Sequence, residues 1–326
     1  MRNILLIQLK RIGDVVLTAP VVHALKKQSP SARIAMAIDA AFAPLAEILP
    51  ADEYLFLSKR GFDASFWRSL IFRKWDSCLE FTGTDRGALV AAASRAKIRA
   101  TYQRHASFSR RLVFNHFVDA DVKTLHTVDY HLALSESLPN SSQPLLRISP
   151  SISHSVSARL HSVGLSGGFV VMHPGSARAE KMWSPEKWAL VARFLREEYL
   201  LDVILTGGND PLEITQIEKI RQLSGSDGIF AFAGGTTLSE VAAIIAKARA
   251  YVGVDTGASH MADLLGVPSA VLYGGTNPRH WGPRGPKGRA VGMNGFSCYP
   301  HDFPKCEMRD IPVENLFAAL RDLMGP

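Results

Sequence analysis

The sequence predicts an α/β protein built from two doubly wound domains. Three observations lead to this prediction: short apolar runs alternate with helical segments, the alternation stops once near the middle of the chain, and it then restarts. The 326 residues suffice for two domains of ordinary size. With 47% hydrophobic and 21% charged residues, the composition is typical of globular domains with sizeable cores.

The first half of the chain alternates predicted strands with predicted helices. The strands are short apolar runs, expected at residues 4–9, 33–38, 53–57, 78–81 and 98–102. The helices lie between them and are expected at residues 14–28, 40–49, 62–73 and 85–95. Pro20 predicts a kink in the first helix, because proline lacks a backbone N–H. This succession predicts a parallel sheet.

The middle of the chain differs in composition from both halves. Residues 139–167 are rich in Ser, Pro and Gly and show little periodicity, which predicts a domain linker with one short helix. The alternation then resumes, with strands expected at residues 169–172, 203–206, 250–254 and 269–273. Helix starts are marked by a Ser-Pro-Glu cap at 184–186 and by a capping box at 237–240. Residues 313–324 are also predicted to be helical.

Composition excludes several classes of protein. No apolar run approaches the roughly 20 residues that cross a bilayer. The N-terminal apolar stretch is short and is followed at once by charged residues, which argues against a secretion signal. The cysteines form no CxxC pair, so a reducing, cytoplasmic location is expected. Cys298, His301 and Cys306 lie close in sequence but lack a fourth ligand at suitable spacing, so no metal site is predicted.

The formal net charge is +7, and lysines and arginines concentrate in the first half. Such a surface favours polyanionic partners, namely nucleic acid, anionic lipid head groups or phosphorylated sugars, although an ordinary basic surface explains it equally well. Basic residues interleaved with aromatic residues would indicate nucleic acid, and the sequence has no such motif. Nucleic acid is therefore not an expected partner.

The segment DTGASH, residues 255–260, follows the predicted strand at 250–254 and opens a helix. Unpaired amides and the helix dipole make such a start attractive to phosphate. Gly257 allows close approach of the backbone, and the hydroxyls of Thr256 and Ser259 add hydrogen-bond donors. His260 can also donate to a phosphate or a sugar hydroxyl. The alternatives are a plain N-cap threonine and a surface histidine.

Two further segments join this candidate phosphate site. Residues 207–210, GGND, form a second glycine-containing strand end, and ligands of doubly wound sheets bind beyond the carboxyl ends of strands. Lys181 lies in the loop after a third strand end, where a lysine can reach a phosphate as a mobile point charge. The alternative is a solvated loop lysine. Together these segments predict a diphosphate site.

Asp14 follows Gly13 at the carboxyl end of the first predicted strand. A carboxylate there can act as a general base if an attacking hydroxyl comes within about 3 Å of it. The alternative is an ordinary N-cap aspartate. The sequence has neither GxGxxG after the first strand nor GxxxxGK[ST], so it favours neither NAD chemistry nor P-loop hydrolysis.

Three blocks of sequence resemble one enzyme family. They are ILLIQLKRIGDVVLTAPVVHALKKQSPSARI, HPGSARAEKMWSPEKWALVARFL and VDTGASHMADLLGVPSAVLYGGTNPRHWGP, and they occur in order along nearly the whole chain. The family is that of the bacterial lipopolysaccharide heptosyltransferases, glycosyltransferase family nine. The resemblance implies a GT-B fold, with two Rossmann-like doubly wound domains facing across a cleft. It assigns residues 1–155 to an acceptor domain, residues 166–312 to a nucleotide-sugar donor domain, and helix 313–324 to packing back on the first.

The resemblance also implies an activity. Family members transfer L-glycero-D-manno-heptose from ADP-heptose to the lipopolysaccharide inner core of Gram-negative bacteria, with inversion at the anomeric carbon. Asp14 matches the proposed general base. Together with the strand-end pattern, the resemblance gives as donor-binding residues Ser176, Lys181, Asp210, Asp255, Thr256, Gly257, Ser259 and His260. Because Lys181 and the helix start can offset the charge of leaving ADP, no cofactor and no strict metal requirement are expected.

The implied acceptor is a lipid-anchored, phosphorylated core oligosaccharide. Lys10, Arg11, Arg60 and Arg104 are its candidate contacts in the first half of the chain. A basic surface of this kind fits peripheral contact with the cytoplasmic face of the inner membrane.

Other readings stay open. Within the family, TDRGALVAAASRAKIRATY resembles enzymes that add a branching third heptose more than those that add the first. The alternatives are another nucleotide-sugar-dependent GT-B enzyme, with a different donor sugar or a sugar-nucleotide 2-epimerase activity, and a non-catalytic glycan-binding protein. A retained Asp14 argues against the non-catalytic alternative.

Overall fold

A computed structural model describes residues 2–136, 145–165, 167–225, 227–298 and 303–325. The chain divides into two compact units, Met1–Ser141 and Ser142–Pro326. Each unit contains one sheet that is mostly or wholly parallel, with helices between successive strands. The predicted α/β class, with two doubly wound domains, is therefore confirmed. Among the described residues, no helix has the length and apolar character that crossing a bilayer requires.

The first unit has the strand order of a classical dinucleotide-type fold. Its strands are β1 (Asn3–Gln8), β2 (Arg33–Asp39), β3 (Glu53–Leu57), β4 (Ser77–Glu80), β5 (Ile98–Tyr102) and β6 (His116–Val118). They pair in the order β3-β2-β1-β4-β5-β6, and every pairing is parallel. The order reverses between β1 and β4. Ligands of doubly wound sheets bind beyond the strand ends at such a reversal.

The helices of the first unit are α1 (Ile12–Val16), α2 (Ala19–Gln28), α3 (Ala64–Ile71), α4 (Asp85–Ser94), α5 (Phe108–Val113) and α6 (Thr127–Leu134). The single kinked helix expected at 14–28 is two helices, separated at Leu17 and Thr18. Pro20 lies in the first turn of α2, where the missing N–H has no partner to lose. The helix expected at 40–49 is the 3₁₀ segment Ala40–Glu47.

The second unit repeats this architecture with an added edge strand. Its strands are β7 (Phe169–His173), β8 (Asp202–Leu205), β9 (Ile229–Ala231), β10 (Ala250–Val254), β11 (Ser269–Leu272), β12 (Gly288–Gly292) and β13 (Gly295–Ser297). They pair in the order β13-β12-β11-β10-β7-β8-β9, and only β13 is antiparallel within the described sheet. The order reverses between β10 and β7. All of β10 is buried, which agrees with its central place in the sheet.

The helices of the second unit are α7 (Pro150–Ser162), α8 (Pro185–Tyr199), α9 (Pro211–Ser224), α10 (Leu238–Lys247), α11 (Gly257–Leu264), α12 (Pro278–Trp281) and α13 (Val313–Met324). The sequence signals for helix starts are confirmed. The Ser184 hydroxyl accepts the Lys187 N–H at 3.3 Å, and Thr237 and Glu240 form the predicted capping box.

The expected domain linker is partly wrong. Its residues 150–162 form the thirteen-residue helix α7, which packs against α10 in the second unit. The cap explains why a serine-rich segment is helical: Ser149 accepts the Ile152 N–H, and Pro150 opens the first turn. The first domain therefore ends before residue 155 and the second begins before residue 166. Residues 139–144 of the expected linker lie outside the described residues.

The last helix packs within the second unit, and its expected packing against the first domain stays a prediction. Helix α13 contacts α8, β11, β12 and β13, all in the second unit. Leu316 and Leu320 are fully buried in the core of that unit, and Phe317 stacks on Phe194 of α8 with ring centroids 4.3 Å apart. Arg321 of α13 forms a bidentate ion pair with Glu198 of α8. The apolar stripe of α13 thus covers its own sheet.

We expect Leu316→Ala to lower the free energy of unfolding by about 2–5 kcal/mol, because it opens a cavity in the core of the second unit. Glu314→Ala, an exposed change on the same helix, should alter it by no more than about 0.5 kcal/mol. Urea denaturation of the full chain measures both. Equal effects of the two changes would contradict the packing of α13 described above.

Candidate functional site

The candidate donor site lies at the carboxyl edge of the second sheet. Strand β7 pairs with both β8 and β10, so the loops after these three strands are neighbours. These loops hold residues 174–181, 207–210 and 255–256, which the sequence selected as candidates. The site therefore lies where the strand order reverses.

Lys181 and Asp255 form the central contact of this edge. The Lys181 Nζ donates to the Asp255 carbonyl oxygen at 2.9 Å and to its carboxylate at 2.7 Å. Their side chains are only 15% and 5% exposed. Two of the three ammonium protons are thereby used, which leaves one for a ligand. The solvated-lysine alternative is wrong, and Asp255 holds the lysine rather than facing an anion itself.

The N-terminus of α11 adjoins this ion pair. Gly257 is its first residue and Thr256 its N-cap, so its leading amides have no partners within the helix. The Ser259 hydroxyl donates to the Thr256 carbonyl at 2.7 Å and accepts the Thr256 N–H at 3.2 Å. Ser259 is buried and shapes the cap, so its hydroxyl hydrogen is already engaged. The backbone amides and the Thr256 hydroxyl therefore remain as candidate phosphate donors at this helix start.

His260 is buried, so the surface-histidine alternative is wrong. Its Nε2 lies 3.7 Å from an Asp255 carboxylate oxygen, and its ring stacks on Trp281. Burial lowers the pKa of His260, although the nearby Asp255 charge opposes that shift. A neutral imidazole beside the Lys181–Asp255 pair is suited to hydrogen bonding.

A buried carboxylate that the sequence analysis missed lies between the loops after β7 and β8. Glu213 accepts the Gly208 N–H at 2.8 Å. A Cβ at Gly175 would lie 2.4 Å from the Glu213 carboxylate, so a larger residue there would displace that carboxylate. The predicted Asp210 instead caps α9 by accepting the Leu212 N–H. Ser176 follows Gly175, and its hydroxyl accepts the Arg178 N–H at 3.2 Å.

Asp14 occupies the third position of α1, not the N-cap, which is Arg11. The N-cap alternative is therefore wrong. Burial raises the pKa of the Asp14 carboxyl, and the charges of Lys10 and Arg11 partly oppose this. The Asp14 carbonyl accepts the Thr18 hydroxyl at 2.8 Å, which ties α1 to the start of α2. A half-buried carboxylate with a raised pKa is a stronger base than a solvated one.

The candidate acceptor contacts do not form one group. Lys10 and Arg11 immediately precede α1, and both are exposed. Arg104 lies after β5, where its guanidinium lies 5.7 Å from the centre of the Tyr130 ring. Arg60 lies in the loop after β3, the outermost strand, and its N–H donates to the Ser58 hydroxyl. Arg60 and Arg104 therefore follow strands on opposite sides of the reversal point.

Two further acids end strands on either side of β1. Glu80, at the end of β4, is fully buried and accepts the Gly83 N–H at 2.9 Å and the Thr101 hydroxyl at 3.0 Å. Asp39, at the end of β2, is buried and lies 3.5 Å from the Arg86 guanidinium. For both Glu80 and Asp39, the only indication in the sequence is an acidic residue at the end of an apolar run. The first sheet thus presents carboxylates at three neighbouring strand ends.

Among the described residues, no group of three or more His, Cys, Asp or Glu side chains is placed to hold a metal ion. Cys298 is exposed and Cys306 half-buried, while His301 lies outside the described residues.

Comparison with known proteins identifies relatives of the whole chain. The lipopolysaccharide heptosyltransferase 3 of Escherichia coli is 26% identical over 285 residues, which cover 83% of each chain. The crystal structure of a family 9 glycosyl transferase from Veillonella parvula superposes with a TM-score of 0.84, at 22% identity, over 99% of this chain and 97% of that one. The E. coli ADP-heptose LPS heptosyltransferase II gives a TM-score of 0.80, at 21% identity, over 99% and 98%.

The two structural likenesses establish the fold, which is GT-B. Residues 64–311 match glycosyltransferase family 9 (heptosyltransferase), which is more than half of the chain. The chain therefore belongs to glycosyltransferase family 9 and is a glycosyltransferase.

Proposed function

We propose that this protein is an inverting heptosyltransferase that moves L-glycero-D-manno-heptose from ADP-heptose to the inner core of lipopolysaccharide. The observation that carries the proposal is the Lys181 ammonium, held by buried Asp255 beside the N-terminus of α11. A cation next to unpaired helix amides is a binding site for a diphosphate. The names of the E. coli relatives supply the donor and acceptor.

The donor would bind through its diphosphate to Lys181 and to the amides of Gly257 and its neighbours. Negative charge grows on the leaving ADP in the transition state, so these groups stabilise the transition state more than the bound donor. Ser176 and His260 lie in the adjacent loop and helix and would contact the phosphates or the sugar. Because fixed protein charges supply this stabilisation, we propose that the reaction has no strict requirement for a divalent ion.

The nucleoside would lie over the glycines at the ends of β7 and β8. Glu213 accepts a single backbone N–H in the described structure, so its carboxylate retains acceptor capacity for sugar hydroxyls. The cap role of exposed Asp210 makes Glu213 the better candidate for this contact.

Asp14 would act as the general base. Inversion requires one in-line displacement, in which the acceptor hydroxyl attacks the anomeric carbon, Asp14 takes the hydroxyl proton, and ADP leaves with the bonding pair. No protein nucleophile is needed. The raised pKa of Asp14 brings the carboxylate closer to the range in which a base is effective at neutral pH.

The acceptor would be a lipid-anchored, phosphorylated core oligosaccharide at the cytoplasmic face of the inner membrane. Exposed Arg60 and Arg104 are suited to contact its acidic groups or anionic lipid. Phe62 and Phe108 are strongly exposed near these arginines in sequence, and apolar side chains next to cations favour peripheral membrane contact. The relative named heptosyltransferase 3 supports a branching third heptose as the product to test first.

The first experiment incubates the protein with ADP-heptose and a core oligosaccharide that lacks only the branching third heptose, and follows the product by mass spectrometry. A gain of one heptose, with release of ADP, is the expected result. Parallel calorimetric titrations with ADP, UDP and GDP, all without metal, should show selective binding of ADP. Preference for UDP or GDP would retain the glycosyltransferase assignment and contradict the heptose donor.

We expect Lys181→Met to weaken ADP binding by about tenfold or more, because a charge-assisted contact to the diphosphate is lost. Lys219→Met removes the same charge from an exposed pair with Glu186 in the same unit and should leave ADP affinity nearly unchanged. Calorimetry on the folded variants measures both. Equal affinities for the wild type and Lys181→Met would remove Lys181 from the donor site.

We expect Asp14→Asn to lower the transfer rate by about 10²–10⁴-fold while ADP affinity is retained, because the amide cannot accept the proton. Asp119→Asn, an exposed change in the same unit, is the control. In the wild type, activity should fall as pH decreases through the raised pKa of Asp14, at a higher pH than for a solvated aspartate. Full activity of Asp14→Asn would refute its role as the base.

A further inference from the structure

The first unit holds a group of hydrogen-bond donors that combines two of the candidate acceptor contacts, Lys10 and Arg104, with three residues that have no role in the proposed reaction. We name it the His105 cluster and define it as Lys10, Arg104, His105, Arg110 and Tyr130. Its members come from the ends of β1 and β5 and from helices α5 and α6. All lie in the first unit.

His105 is set as a neutral donor. Its Nε2 accepts the Arg104 Nε–H at 3.1 Å, so the ring proton of the neutral form lies on Nδ1. That Nδ1 is buried and has no hydrogen-bond partner among the described residues. Burial and the charges of Arg104, Lys10 and Arg110 lower the pKa of His105 to about 4. The ring is therefore neutral at pH 7, with a donor directed at no acceptor.

Arg110 also has a buried hydrogen-bond donor without an acceptor. Its side chain is only 11% exposed, yet Nη1 has no hydrogen-bond partner within the described chain. The Glu80 carboxylate lies 3.9 Å away and is already bonded to backbone and threonine donors, while the Asp85 carboxylate, at 3.5 Å, is fully exposed. The buried hydroxyl of Tyr130 likewise has no partner among the described residues.

Such an arrangement is costly without a ligand. A buried donor that lacks an acceptor destabilises the fold, and such groups are rare in native structures. Here three of them lie in one cluster, in which Lys10, Arg104 and Arg110 outnumber the two carboxylates, Glu80 and Asp85, that face Arg110. A carboxylate or a phosphate offers several acceptor oxygens and a negative charge, and so suits these donors. A cation would be repelled by the excess positive charge, and a neutral hydroxyl would satisfy fewer of the donors.

We propose that the His105 cluster is a binding site for an acidic group, a carboxylate or a phosphate, with Arg110 and the Nδ1–H of His105 as its principal donors. That the group belongs to the glycan acceptor rests on the proposed function, whereas the anion site itself does not. Lys10 acts electrostatically on both His105 and Asp14, so the site adjoins the candidate base. An acidic group held there fixes the acceptor beside Asp14.

The test follows the histidine ring signals of the full chain by NMR while inorganic phosphate or glucuronate is added. We expect the His105 signals to shift and the pKa of His105 to rise towards its ordinary value. The two anions separate the sources: a stronger response to phosphate assigns a phosphate group, and a stronger response to glucuronate assigns a sugar carboxylate. His260 reports the donor site separately.

Arg110→Gln and Arg111→Gln form a matched pair on α5. Both remove one charge, but Arg111 is exposed and lies over the Phe117 ring. Arg110→Gln should weaken the anion response by about tenfold or more, and Arg111→Gln by less than about threefold. If thermal unfolding shows that Arg110→Gln is not folded, His105→Phe, which removes the Nδ1 donor, is read by calorimetry and should weaken anion binding comparably.

Two results would overturn the proposal: His105 signals that neither anion moves, or equal losses in the two arginine variants. The same experiment tests the proposed donor site independently of the anion site. ADP that shifts His260 while phosphate and glucuronate leave His105 unmoved would retain the proposed donor site and refute the acidic-group site. Anion responses at His105 without any ADP response would retain the anion site and refute the donor assignment.

Discussion

The buried ion pair between Lys181 and Asp255 is the contact on which the donor site depends. A buried lysine without a partner would destabilise the fold, and the Asp255 carboxylate after β10 supplies that partner. Trp183 lies two residues after Lys181 and is buried against Trp188. Its carbonyl oxygen accepts the Gln216 side-chain amide at 2.7 Å. The loop that carries Lys181 is thereby fixed to the core of the second unit.

The two sheets have the same strand order but carry different groups at the point where that order reverses. At the reversal point of the second sheet the groups that favour an anion are a held ammonium and unpaired helix amides, with glycines that let a ligand approach the backbone. At the reversal point of the first sheet the strand ends carry acids, among them Asp14 with its raised pKa. A leaving group and a base have opposite electrostatic requirements, and in the proposed reaction each unit would meet one of them.

Much of the fold was predictable because periodicity and caps are local signals. The strands at 53–57 and 98–102 and the capping box of Thr237 appear as the sequence predicts. The three-residue strands β6, β9 and β13 were missed, since such short segments have no detectable period. The apolar stripe of α13 predicts a helix but not the elements against which it packs.

The candidate site shows the same difference between local signals, which the sequence carries, and tertiary contacts, which it does not. Lys181 and the segment at 255–260 were found from sequence because a lysine loop and a glycine-containing helix start are themselves unusual. Glu213 was missed, because an acid in the first turn of a helix is usually explained by the helix dipole. Its burial against Gly175 arises only when β7 and β8 are paired. The unpaired donors of the His105 cluster are likewise a tertiary property.

A crystal structure of the protein with ADP would test most directly the proposal that Lys181 and the start of α11 bind the donor diphosphate. We expect diphosphate oxygens within hydrogen-bond distance of the Lys181 Nζ and of the Gly257 N–H, with the Lys181–Asp255 pair intact. A nucleotide bound elsewhere, or a Lys181 that stays turned away from the phosphates, would contradict it.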